Sequence, residues 1–113
     1  MVISSGNEVV KRFDVWLVNL DPTKGRKINK TRPCVVLSPN EISALSTVLM
    51  APMTTKGFKY PCRIECRFKG RKGLILLDQI RAVDKTRLIK KVGTVSGKIQ
   101  TALCACLQEL FAL

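Results

Sequence analysis

Residues 73–80 read GLILLDQI, an almost unbroken apolar run in a chain of 113 residues. A run this short and this apolar suits a central strand buried on both faces, so the core is expected to centre here. On its N-terminal side, residues 62–68 alternate Cys62, Ile64 and Cys66 with Arg63, Glu65 and Arg67. That period of two predicts a strand with one dry face and one wet, basic face. Residues 15–20, 34–37 and 48–53 are further β-prone stretches, with Asp21-Pro22 and Gly25 as turn residues after the first and Ser38-Pro39-Asn40 after the second. On the C-terminal side, residues 84–88 predict a short helical turn. Beyond it Ile99, Ala102, Leu103, Cys106, Leu107, Leu110 and Phe111 fall on one face of a helix, with Ser96 or Thr94 as its N-cap. Short strands closed by one amphipathic helix predict an α+β fold, a strongly curved, barrel-like antiparallel sheet with short helices.

The length predicts a single domain spanning residues 1–113, with residues 1–11 as a flexible N-terminal extension. No apolar run reaches the roughly 18–20 residues that a membrane span requires, and the N-terminus has no secretory pattern. A cytoplasmic protein with no membrane partner is therefore expected. The five cysteines, at 34, 62, 66, 104 and 106, form no CxxC pair, and there is no histidine to complete a zinc site. They are expected to be reduced, mostly apolar filler, and neither a metal nor a cofactor is expected.

The charge is more telling. Lys and Arg total 20 against 8 acidic residues, a formal net charge of +12, which favours a polyanionic partner. Residues 22–32 carry Lys24, Arg26, Lys27, Lys30 and Arg32 with no acid, and residues 56–72 carry seven basic residues against Glu65 alone. Either run alone is most simply a solvated face. Two uncompensated runs point to phosphate contacts, and Phe58, Tyr60 and Phe68 lie among them as rings on which unpaired bases could stack.

Four segments, DVWLVNLDPTKG (14–25), TRPCVVLSP (31–39), APMTT (51–55) and GLILLDQIRAVDKTRL (73–88), occur in an order and spacing that resemble the MazF/PemK family of toxin endoribonucleases. The likeness runs from about Phe13 to the C-terminus. It implies an SH3-like barrel of the kind shared by MazF, Kid and CcdB, a homodimer, and metal-independent, sequence-specific cleavage of single-stranded RNA that inhibits growth. It also implies a cognate antitoxin whose acidic, flexible C-terminal segment covers the RNA site. By the same resemblance Arg32 and Thr54 take the catalytic positions, with Thr55 as the neighbouring alternative. Asp78 matches a catalytic Asp of one branch, although Leu76 replaces that branch's arginine. Phe13 stands where the family often has glycine. The implied RNA contacts are Lys24, Gly25, Arg26, Lys27, Lys30, Thr55, Lys56, Gln79 and Arg81. The other reading on the same fold is a non-catalytic, CcdB-like topoisomerase poison.

Cleavage by the 2′-hydroxyl needs a base, an acid for the leaving 5′-oxygen, and positive charge for the phosphorane. Without histidine, the guanidinium of Arg32 is the natural charge stabiliser, because its planar paired donors match two phosphate oxygens. Thr54 suits positioning or proton relay. The base stays open between Arg32, costly because guanidinium pKa values exceed about 12, and Asp78, the one carboxylate in a matched segment that the chemistry can use.

Overall fold

The structure, a computed structural model, describes residues 9–20 and 31–112. The expected N-terminal extension falls largely outside these residues, and so do Lys24, Gly25, Arg26, Lys27 and Lys30 in the basic loop.

Among the described residues seven strands run β1 (Asp14–Asn19), β2 (Thr31–Val36), β3 (Thr47–Thr54), β4 (Arg63–Phe68), β5 (Arg71–Leu76), β6 (Arg81–Asp84) and β7 (Leu88–Thr94), followed by helix α1 (Gly97–Leu110). The strands are joined in the order β4-β5-β3-β2-β1-β7, with β6 paired to the first half of β3, and every pairing is antiparallel. The β1–β7 register slips twice, between Val15 and Trp16 and between Leu17 and Val18. Such bulges increase twist and bend the sheet into a half-barrel. The expected curled antiparallel sheet with a closing helix is the one observed.

Each face of the sheet carries an apolar cluster. One carries Val15, Val35, Ala51, Met53, Ile75 and Leu77, with Leu103 of α1 packed onto it. The other carries Trp16, Val18, Cys34, Val36, Val48 and Met50 inside the curl. Alternation along each strand separates the two sets. Ser96 caps α1 by accepting from the Ile99 N–H, and the turn expected at residues 84–88 is a 3-10 turn at Lys85–Arg87.

One expectation needs correction. Residues 73–80 are not one strand: β5 begins two residues earlier at Arg71 and stops at Leu76, and Leu77–Gln79 forms a 3-10 turn. Leu77 turns into the core while Asp78 is drawn out to Arg63, so the alternation cannot continue. At the end of α1 Leu110 is exposed and Phe111 is 73% exposed.

Candidate nucleic-acid interface

The site is assembled by strand register. β2 and β3 pair Val36 with Met50, Val35 with Ala51 and Cys34 with Pro52. Two residues beyond these pairs lie Arg32 on β2 and Thr54 on β3, and both border the same hollow at this end of the sheet. β3 then changes partner: Met50 pairs with Arg81 of β6, whereas Met53 and Thr54 pair with Ile75 and Leu74 of β5. β4 continues the row by pairing Arg63 with Leu76. The inner face of the curl therefore ends in an open groove of about 710 Å³, with Leu20, Pro52 and Leu76 as apolar floor. Its polar walls are Arg32, Thr54, Lys56, Arg63, Gln79 and Arg81.

No carboxylate lines this groove among the described residues. Among the described residues Arg32, Lys56 and Arg81 form no ion pair there. Cys34 lies beneath, and burial pushes its thiol up to about 12 despite the opposing pull of Arg32 and Arg81. A thiol held protonated is no nucleophile. The Thr54 hydroxyl accepts a hydrogen bond from the Lys56 N–H at 3.1 Å. With one lone pair so engaged, its own proton is free to point at an anion. Gly73 makes this placement feasible, because a Cβ there would lie 2.7 Å from the Thr54 carbonyl oxygen.

Asp78 stands beside the groove rather than in its wall. Both of its oxygens accept from Arg63, Oδ1 from Nε and Oδ2 from Nη2, each at 3.2 Å. The hydrogen bond from Arg63 is the main reason the Asp78 carboxyl is held below the usual carboxylate range, and it correspondingly raises Arg63. A paired carboxylate of lowered basicity is a poor proton acceptor near neutrality. On the opposite face of the sheet end is a second hollow of about 490 Å³, with Leu17, Pro33, Met53, Phe68 and Val92 inside and Lys69 and Arg71 at its edge. Arg32 and Thr54 border both hollows, while Thr55 borders only the second.

Of the residues singled out in the sequence, the fold thus gathers Arg32, Thr54, Lys56, Gln79 and Arg81 in one groove, sets Thr55 behind it and Asp78 beside it. Arg63 and Leu20 were not foreseen. Strand alternation places Arg63 on a wet face but does not say which wet face becomes a groove wall; only its pairing with Leu76 does.

Among the described residues, the half-barrel ends in a groove lined by cations and by no carboxylate. Residues 11–111 match the family described as PemK-like, MazF-like toxin of type II toxin-antitoxin system, and the chain belongs to that family. It is 30% identical over 112 residues to Endoribonuclease EndoA of Bacillus subtilis (strain 168), covering 93% of this chain and 97% of the relative. It is 32% identical over 95 residues to Endoribonuclease MazF of Staphylococcus epidermidis, covering 78% and 79%. Among solved structures, a MazE-MazF crystal structure from Deinococcus radiodurans (Form-II) superposes with a TM-score of 0.80 at 21% identity over 95% of this chain and 99% of that one. An endoribonuclease in complex with its cognate antitoxin from a mycobacterial species gives 0.77 at 18% identity, covering 91% and 95%. Identities this low establish the fold alone. The family favours the toxin-nuclease reading over the topoisomerase poison.

Proposed function

We propose that the protein is a metal-independent endoribonuclease toxin that cuts single-stranded RNA at preferred sequences, works in the cytoplasm as a homodimer, and is neutralised by an antitoxin with an acidic, flexible segment. The observation that carries this reading is that Arg32 and Thr54 line one groove whose described walls hold cations and no carboxylate. The names of the relatives, endoribonucleases and toxin–antitoxin complexes, support it.

In this reading the scissile phosphate sits between Arg32 and Thr54. The 2′-hydroxyl attacks phosphorus, the bond to the 5′-oxygen breaks, and a 2′,3′-cyclic phosphate is left. Arg32 gives paired donors to the two non-bridging oxygens as they gain charge. Thr54, its acceptor side tied to Lys56, donates its proton toward a phosphate oxygen and fixes the in-line pose. Arg81 and Lys56 hold flanking phosphates, and Gln79 can read a base edge with both donor and acceptor. Thr55 and the cations of residues 24–30 extend the contacts. Asp78, committed to Arg63, is placed outside the proton-transfer pair. The surrounding positive charge lowers the cost of ionising the 2′-hydroxyl to solvent hydroxide.

The exposed apolar Leu110 and Phe111 at the end of α1 supply a natural dimer contact. Incubation of the purified protein with end-labelled single-stranded RNA in EDTA tests the activity, with discrete cuts bearing cyclic-phosphate ends expected. Intact RNA under those conditions, from protein shown to be folded, would reject it.

A further inference from the structure

The β3–β4 connection carries the two most conspicuous exposed rings near the groove, Phe58 at 75% and Tyr60 at 51% exposure. Exposed rings cost solvation unless something covers them. Arg63 holds both in place. Its Nη1 donates to the Phe58 carbonyl at 3.0 Å, its guanidinium lies 4.6 Å from the centre of the Tyr60 ring, and its Nε and Nη2 donate to Asp78. One face of Tyr60 is thereby covered, leaving the outer surface of the pair for a ligand. The rings stand 6.5 Å apart, tilted by 56°. That geometry leaves no slot for a flat group between them, but it presents the Phe58 face as a platform braced by Tyr60. Phe58 adjoins the groove in the chain, since Lys56 and Gly57 line it and Phe58 follows directly. Gly57, at φ 114°, makes the turn that swings the loop across Arg63.

We propose that Arg63 and Asp78 are positioning residues that lock this loop so that Phe58, braced by Tyr60, stacks an unpaired RNA base beside the scissile phosphate. The assignment rests on the ribonuclease reading and deepens it. Stacking on an aromatic face is the ordinary way in which proteins hold unstacked bases, and Lys56 in the groove suits the backbone of the same nucleotide, while Lys59 is paired with Glu65. It gives Asp78 a part in catalysis through substrate placement, not through proton transfer.

The test uses short single strands carrying 2-aminopurine at successive positions, in a 2′-O-methylated form for binding and a ribose form for cleavage. Quenching at one position is expected with the wild-type protein and is expected to be lost in Phe58→Ala, with KM raised roughly five- to a hundredfold and kcat little changed. Asp78→Asn should shift KM in the same direction, and Asp78→Glu should restore part of the loss. If Phe58→Ala leaves both quenching and KM at wild-type values, or weakens only the binding of an acidic peptide, the platform is not an RNA subsite. If Asp78→Asn lowers kcat alone with quenching intact, Asp78 is a proton-transfer group and the positioning role is wrong. Failure of wild type to cut the ribose strand rejects the ribonuclease reading, while quenching of the methylated strand still decides whether the platform holds a base.

Discussion

Arg32 shares the groove with the Thr54 hydroxyl. Because it is exposed and its side chain carries no core packing, Arg32→Ala should fold normally and lose on the order of 10²- to 10³-fold in kcat. Thr54→Ala should show a smaller loss with RNA binding retained, and Thr55→Ala, which faces the other hollow, should matter less than either. Single-turnover cleavage ranks the three, and a larger effect of Thr55→Ala would mean that the wrong hydroxyl has been assigned. Phe13 presents a different residue-scale question. It adopts φ 74°, and backbone bonds on both sides, from its N–H to Val36 and from the Val95 N–H to its carbonyl, hold it there. The glycine often found at this place in the family is explained by that conformation. Both Phe13→Ala and Phe13→Gly lose the ring's packing, but the glycine variant should be the more stable by about 1 kcal/mol, since only the alanine keeps a Cβ in the left-handed region. Denaturant titration gives the order, and alanine coming out ahead would show that the strain is negligible.

At the scale of elements, β5 is pressed against the end of β3 so closely that Gly73 leaves no room for a methyl group. Gly73→Ala should therefore displace the Thr54 carbonyl, destabilise by roughly 1–3 kcal/mol, and reduce kcat even at temperatures where the protein is fully folded. A melting curve paired with kcat separates these effects; wild-type kcat would mean that β3 absorbs the shift. Which elements were readable in the sequence follows from the same local physics. The first strand, the two flanking Ser38-Pro39 and the helix from Ser96 declare themselves by alternation, turn residues and a cap. The end of β5 does not, because an apolar run cannot announce that Leu77 will turn inward to the core and Asp78 outward to Arg63. β6 and β7 were not read either: Arg81, Asp84, Lys90 and Lys91 break their apolar pattern, and their pairing with β3 and β1 is a tertiary fact. The tight β4–β5 hairpin turns at Lys69-Gly70, with φ 54° and 78°, where glycine is at ease and lysine is not.

For the whole molecule the dominant feature is the concentration of charge at one end of the curl. Three groove cations without carboxylate partners, Arg32, Lys56 and Arg81, imply a slope of log affinity against log salt of about −2, at roughly 0.7 per phosphate on a single strand, before any contribution from residues 24–30. Binding titrations across a salt series measure it, and a flat response would exclude phosphate contacts from these side chains. The sum of charge was legible from composition. Its convergence was not legible from composition, because Arg32, Lys56 and Arg81 are scattered along the chain; only the family resemblance implied it, and the partner change of β3 accompanies it. The same convergence sits above Cys34, 1% exposed and wholly protonated at neutral pH. Alkylating reagents and peroxide act on thiolates that they can reach, so this sulfur should react only during moments when β2 parts from β3. Cys34 is thus a clock for local opening: its labelling rate, read residue by residue by mass spectrometry, should fall when RNA occupies the groove and bridges the two strands, and labelling as fast as a free thiol would mean that the curl is already open.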